Sequence, residues 1–253
     1  MASLQRELLY AGLSWLRVSE RKIKRHRRDL ILLYHAVETK RSGYLFSVSQ
    51  RSLERQIRFL RRHFKLVSLD ELFNQPAEGS RIALTFDDAF DDFYSNAYPL
   101  LQRYRVPATV FVPTRYIGQE PDQLHHQLFD CAKGHVTWEQ ISEMQASGLV
   151  TFESHTHSHR NAVEHMHELR QDVLCSVELL ERKTGYRSKY FAYPYGACNP
   201  ETHAIVLGCG FERLLTVAPC AVAGQVAEGR FDVNRSNESL SRFKLLVAEI
   251  YLE

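Results

Sequence analysis

A parallel α/β barrel is the fold class this chain predicts, on three observations. Short apolar runs rich in β-branched and aromatic residues alternate with helix-like stretches from Leu30 onward. The run Ile82 to Phe86 is too apolar to have a wet face, which implies a sheet covered on both sides. The residues able to do chemistry gather where such runs end, and strand C-terminal ends form the functional rim of a barrel. At 253 residues the chain suits one large barrel domain or two ordinary ones.

Residues 1–29 stand apart from the rest. They hold eight Lys or Arg (Arg6, Arg17, Arg21, Lys22, Lys24, Arg25, Arg27, Arg28) against three acids, Glu7, Glu20 and Asp29. The apolar run Leu8 to Leu16 is nine residues long, against the roughly 20 of a spanning helix, so it does not cross a bilayer. Its basic cluster follows the apolar run, the reverse of a secretory signal, so a cytoplasmic location is expected. Two readings of this segment stand. One is an interfacial helix in peripheral membrane contact, the other a solvated helix on the domain surface. Nucleic-acid binding is not expected, because the basic cluster is short and no binding motif accompanies it.

The globular domain is expected over residues 30–253. Leu30 to Tyr34 reads as a buried strand ending in His35. Gln50 to Phe64 places Leu53, Ile57, Leu60 and Phe64 on one helical face, with an Arg-rich outer face that reads as solvated or as able to attract an anionic polymer. Leu66 to Val67 is a strand, and Ser68 with Glu71 forms a capping box for a short helix. The acidic strand Ile82 to Phe86 precedes a helix over Asp92 to Tyr104, and Pro107 to Val112 is the next strand. Thr114 to Val136 reads as an insertion on the barrel rim whose His125, His126 and His135 face solvent. Thr137 and Gln140 cap a helix that Gly148 ends, and Gly185 ends the helix running through Leu180. Lys189 to Ala192, Phe211 to Val217 and Phe231 to Arg235 are the remaining strands, with helices over Asn199 to Leu207 and Ser239 to Tyr251.

Composition narrows the class further. A net charge of +2 with 25% charged residues gives no strong global field. Five cysteines, scattered and without a CxxC pair, form neither a disulfide framework nor a zinc finger, which fits a reducing compartment.

Two stretches carry the chemistry. Asp87 and Asp88 follow the strand Ile82 to Phe86, and adjacent residues in a regular strand point to opposite faces. For both carboxylates to serve one site the backbone must leave the pleat there; otherwise they form a solvated acidic loop or helix cap. After the strand starting at Val150 come His155, Thr156, His157, Ser158 and His159, three histidines within five residues. Two imidazoles with one carboxylate suit a divalent metal and leave a coordination position open. Zinc fits this donor set, and cobalt or nickel fits it in similar geometry.

These residues resemble a known family. TFDDA at Thr85 to Ala89 is similar to the TFDD(G/A) motif of the polysaccharide deacetylases, the NodB-homology enzymes of carbohydrate esterase family four. The segment from His155 to His159 fits their H(S/T)xxH motif. Phe191 to Gly196, FAYPYG, resembles the third motif in the form found in deacetylases of biofilm N-acetylglucosamine polymers. The resemblance covers roughly residues 30 to 236 and implies a distorted (β/α)7 barrel and a metal-dependent hydrolase that removes N-acetyl groups from a carbohydrate substrate. It implies that Asp88, His155 and His159 hold the metal, that Asp87 is the catalytic base, and that the Tyr195 backbone N–H helps hold the oxyanion.

Two departures from the family pattern stand out. Tyr193 replaces the arginine that orients the base in many members, and Arg235 on the last strand is the candidate substitute. The late LxxH motif, source of the general acid, is missing, since no histidine lies beyond His203. His35 ranks first among replacements because of its strand-end position, followed by His157 or a second water. Two other functions stay open. One is a carbohydrate-binding member without catalysis. The other is a glycoside hydrolase pairing Asp87 with Asp91 or Asp92, which leaves the histidines unexplained.

Overall fold

The computed structural model describes residues 29–250 apart from 77–78, 130–132, 218–219 and 223–224. The reading of the N-terminal basic segment therefore lies outside the described residues, Asp29 excepted. Among the described residues no helix is long and apolar enough to cross a membrane.

A sheet of parallel strands forms the centre. Its strands are β1 (Leu30–Tyr34), β5 (Arg81–Phe86), β6 (Ala108–Val112), β7 (Val150–Ser154), β8 (Tyr190–Ala192) and β9 (Arg213–Thr216), hydrogen-bonded to one another in that order. All residues of β1, β5 and β6 are buried, as expected of strands covered on both faces. The seventh position is filled by one bent segment. Its first half, β11 (Gln225–Gly229), pairs parallel with β9, and its second half, β12 (Phe231–Asp232), pairs parallel with β1. Arg230 alone separates them, so the sheet closes on itself at a single residue. This is a distorted seven-stranded barrel. The short strand β4 (Lys65–Val67) pairs beside the first half of β5.

The helices follow their capping chemistry. Ser49 accepts from the Ser52 N–H to open the helix Gln50–His63, whose Leu53, Ile57 and Leu60 are fully buried while its arginine face is exposed. Each such side chain contributes about 1.5–3 kcal/mol on burial, which decides the orientation of the helix. Thr137 and Gln140 form the expected capping box on Trp138–Ala146, and Gly185 ends Met166–Thr184 at φ 69°. At Ser68 only half of the expected box forms. Ser68 Oγ accepts from the Glu71 N–H, but the Glu71 carboxylate turns to Lys65.

Three features depart from expectation. The helix after the acidic strand opens as a π-turn over Phe93–Ala97 before becoming α-helical at Tyr98–Tyr104. Pro99 has no N–H to give and crowds the preceding turn, which widens it. A small two-stranded sheet, β2 (Ala36–Glu38) with β3 (Ser47–Ser49), and a hairpin of β10 (Cys220–Val222) with β11 were not expected, because β2, β3 and β10 are only three residues each and β11 is interrupted by polar residues. The segment Thr114 to Val136 is built into the fold. It contains a helix, Gln123–Phe129, and both His125 and His135 are buried; only His126 faces solvent as expected. Tyr116, Phe129 and Phe90 enclose the two buried rings, an aromatic cluster that distant chain contacts assemble.

Lys133 anchors this segment. Its ammonium lies 2.8 Å from Asp92 Oδ2 and 3.0 Å from Glu38 Oε1, and Asp92 Oδ1 accepts the Val37 N–H at 3.1 Å. Burial pushes the Asp92 carboxyl up to about 6, against the opposing charge of Lys133. A raised folded-state value means that, between the unfolded value of about 4 and this one, the folded chain holds a proton that the unfolded chain has released. The Asp92 contribution to stability therefore falls as pH rises from about 4 to 6. Asp92→Asn should lack this loss, so the stability of the variant relative to wild type should improve across that window in urea titrations. A pH-independent difference would contradict the assignment.

Candidate active site

The site is assembled where β5 and β7 end. The Asp87 N–H still donates to the Tyr34 carbonyl at 2.9 Å, in the manner of a strand, but Asp88 and Ala89 adopt left-handed φ of 70° and 52°. The backbone leaves the pleat here, and both carboxylates turn to the same cleft. At β7 the turn is made by Thr156 and His159, with φ of 66° and 56°. Thr156 Oγ1 accepts the His159 N–H at 2.9 Å, and Asp172 accepts the N–H groups of His157 and Ser158 at 3.2 and 3.1 Å. His157 is turned away, its Nδ1 2.9 Å from Thr114 Oγ1.

Asp88, His155 and His159 converge. Their donor atoms all lie within 4.8 Å of one another, and all three residues are buried. His159 Nε2 is 3.1 Å and His155 Nε2 3.6 Å from Asp88 Oδ1. That oxygen is buried with no hydrogen-bond donor aligned on it, an arrangement costly for a carboxylate unless a cation completes it. His155 Nδ1 donates to the Ala192 carbonyl at 2.8 Å, which leaves the Nε2 lone pair directed at the cluster. The donor set fits a divalent metal, and among the described residues no other such group forms. Burial depresses His155 to about 4, so its imidazole is neutral, as a ligand must be.

Asp87 is held differently. Arg230 Nη1 and Nη2 donate to its two carboxylate oxygens at 2.6 and 2.7 Å, with the guanidinium fully buried over the Phe111 ring. Burial raises the Asp87 carboxyl, but the charge and hydrogen bonds of Arg230 outweigh it and keep the group below its ordinary value. The expected substitute for the base-orienting arginine was Arg235; it instead reaches Glu38 and the Ser47 hydroxyl, away from the cleft. The last strand ends at Asp232 instead of reaching Arg235, so Arg235 lies in the turn that follows, while Arg230 lies at the junction of β11 and β12 and meets Asp87 inside the barrel.

The cleft above these groups has a volume of about 340 Å³ and apolar walls that include Phe46, Leu128, Phe129 and Val217. His35 stands in it, its Nδ1 3.9 Å from Asp232 Oδ1, and neither atom has another partner among the described residues. Asp91 and Asp92 do not line it. Tyr195 lies at the rim in left-handed geometry (φ 60°, ψ 7°), its ring against His159 and its hydroxyl donating to the Leu128 carbonyl at 2.7 Å. Gly196 follows at φ 64°, and a Cβ there would stand 2.8 Å from Val217 Cγ2, so only glycine fits. All six expected site residues, Asp87, Asp88, His155, His159, His35 and Tyr195, therefore meet in one cleft. Arg230 and Asp232 join them unforeseen.

Removing one partner of the buried pair should strand the other. Arg230→Met is expected to lower the unfolding free energy by about 3–5 kcal/mol, and Asp87→Leu/Arg230→Met to recover most of it, both read from urea midpoints. A single variant as stable as wild type would mean that the pair is not desolvated.

Comparison with known proteins places these features in a wider set. Residues 74–214 match the family described as polysaccharide deacetylase. The poly-β-1,6-N-acetyl-D-glucosamine N-deacetylase of Staphylococcus aureus (strain MRSA252) is 30% identical over 181 residues, 66% of this chain and 60% of that protein. The protein of that description from Staphylococcus epidermidis is 29% identical over 225 residues, 81% of this chain and 72% of its own length. Among solved structures, IcaB from Ammonifex degensii superposes with a TM-score of 0.71 at 25% identity, covering 88% of this chain and 97% of its own. The Streptococcus pyogenes deacetylase PplD shares the fold with a TM-score of 0.69 at 23% identity, covering 87% of this chain and 97% of its own.

Proposed function

The chain belongs to the polysaccharide deacetylase family, and on that premise we propose that it is a metal-dependent hydrolase that removes N-acetyl groups from an N-acetylglucosamine-type polysaccharide and releases acetate. The observation that carries this reading is the convergence of Asp88, His155 and His159 beside a base held by two hydrogen bonds. The N-acetylglucosamine assignment draws on the names of the staphylococcal relatives, of which this chain spans 60% in the S. aureus case. The apolar cleft walls favour an uncharged acetylated sugar.

Hydrolysis breaks the acetamide C–N bond, forms a C–O bond to water, and needs a proton for the leaving amine. Zinc, cobalt or nickel held by Asp88, His155 and His159 would supply Lewis acidity and an acidified water. Asp87 is the base. Its carboxylate is fixed by Arg230 and kept ionised, so it can take a proton from the attacking water. The left-handed turn at Tyr195 and Gly196 sits at the cleft, where the Tyr195 N–H is assigned to the oxyanion. His35 stands in the cleft with Asp232 beside it, and this pair is assigned the proton delivery that the missing late histidine performs elsewhere in the family. A binding protein without catalysis remains the alternative outcome of the test.

Acetate release from N-acetylglucosamine oligomers, with bound metal measured in parallel, tests the division of roles. Wild type should release acetate, Asp87→Asn should keep metal and lose turnover, and His155→Ala should lose both. Metal without acetate release from any acetylated sugar would favour the binding reading. His35→Gln should lower kcat by about 10²–10⁴ with metal content unchanged; a kcat within twofold of wild type would remove His35 from the mechanism.

A further inference from the structure

The two buried histidines of the 114–136 segment have no part in the mechanism above, yet one of them touches a left-handed residue of the site. His135 Nδ1 lies 2.6 Å from the carbonyl oxygen of Asp88, the residue at φ 70° whose carboxylate belongs to the metal cluster. A carbonyl only accepts, so His135 Nδ1 carries the proton and donates. His135 Nε2 is 2.8 Å from His125 Nε2. With one proton already on His135 Nδ1, a neutral His135 offers only a lone pair at Nε2, and the proton of this bond belongs to His125. The tautomers of both rings follow: His125 Nε2–H donates to His135, and His135 Nδ1–H donates to Asp88.

The backbone reinforces the side chains. The Val136 N–H donates to the Ala89 carbonyl at 3.0 Å, and the Asp91 N–H donates to the Gly134 carbonyl at 2.9 Å, so residues 134–136 clamp the left-handed turn from both sides. The helix Gln123–Phe129 that carries His125 reaches the rest of the cluster as well. Phe129 stacks on the His159 ring with centroids 4.3 Å apart, and the Leu128 carbonyl holds the Tyr195 hydroxyl. One short helix thus touches the supports of Asp88, His159 and Tyr195.

We propose that His125 is a positioning residue that, through His135, holds the strained Asp88 turn in the geometry that presents its carboxylate to the metal. The proposal rests on the deacetylase reading for its catalytic consequence but not for its metal consequence. Groups that orient a metal ligand typically carry about 10–100-fold in affinity or activity. His125→Phe keeps a ring against Phe129 and removes the donor; His125→Gln keeps an N–H able to reach His135.

The test titrates metal-free protein with Co²⁺, followed by its visible absorption, and measures kcat and KM for acetate release separately. His125→Phe should bind Co²⁺ about tenfold more weakly, with kcat reduced and KM unchanged, and His125→Gln should recover most of both. Should His125→Phe not accumulate folded, His135→Asn replaces it, since its amide N–H can still donate to Asp88 while its oxygen, shorter in reach than Nε2, does not meet His125; it should show the same weakened Co²⁺ binding. Co²⁺ affinity within twofold of wild type in a folded donor-free variant, or a Gln variant no better than Phe, overturns the proposal. Weakened Co²⁺ binding in these variants of a wild type that releases no acetate would overturn the deacetylase reading alone.

Discussion

The bidentate pair between Asp87 and Arg230 is the constraint on which the rest of this structure depends. Burying a carboxylate and a guanidinium costs several kcal/mol each, and only fork-to-fork geometry with satisfied oxygens offsets it. The barrel provides that geometry because it closes at Arg230 itself. The segment before Arg230 pairs with β9 and the segment after it pairs with β1, so the arginine that links the two edges points into the interior opposite the end of β5. Closure and the fixing of Asp87 are one event. A barrel whose last strand slipped by one residue would direct Phe231 inward and leave Asp87 without its partner.

Strain is concentrated where the chemistry is. Six non-glycine residues among those described have positive φ, and Asp88, Ala89, Thr156, His159 and Tyr195 are all in or beside the cleft; only Arg105, at a helix end, is elsewhere. Such conformations cost of order 1–3 kcal/mol each and persist only where surrounding bonds over-determine them. Here the determinants can be named. His135 and Val136 hold the Asp88 turn, Thr156 and Asp172 hold the histidine turn, and the hydroxyl of Tyr195 ties its rim turn to Leu128. The candidate metal ligands are therefore aimed by polar groups behind them, some contributed by the segment 114–136 and the helix Met166–Thr184.

The family resemblance and the site agree on architecture while differing in parts. The arginine that many members carry at the third motif is absent, and Arg230, between β11 and β12, binds Asp87 here. The late histidine is absent, and His35 with Asp232 stands in the cleft instead. In both cases a side chain from a different place along the chain stands near the site. A barrel tolerates this because every strand end opens onto one rim.

Much of this was legible in the residue order. The apolar strands, the caps at Thr137 and Gly185, the alternation that makes a barrel, and the six residues that meet in the cleft were all readable, because strand burial, capping and ligand chemistry are written in neighbouring residues. What the tertiary structure alone decided were the contacts between residues far apart in sequence: the closure at Arg230, the pairing of His35 with Asp232, and the burial of His125 and His135. A polar residue's sequence neighbourhood does not say what will be packed over it. For His125 and His135 that cover is supplied by Phe90, Tyr116 and Phe129, which only the folded chain brings together.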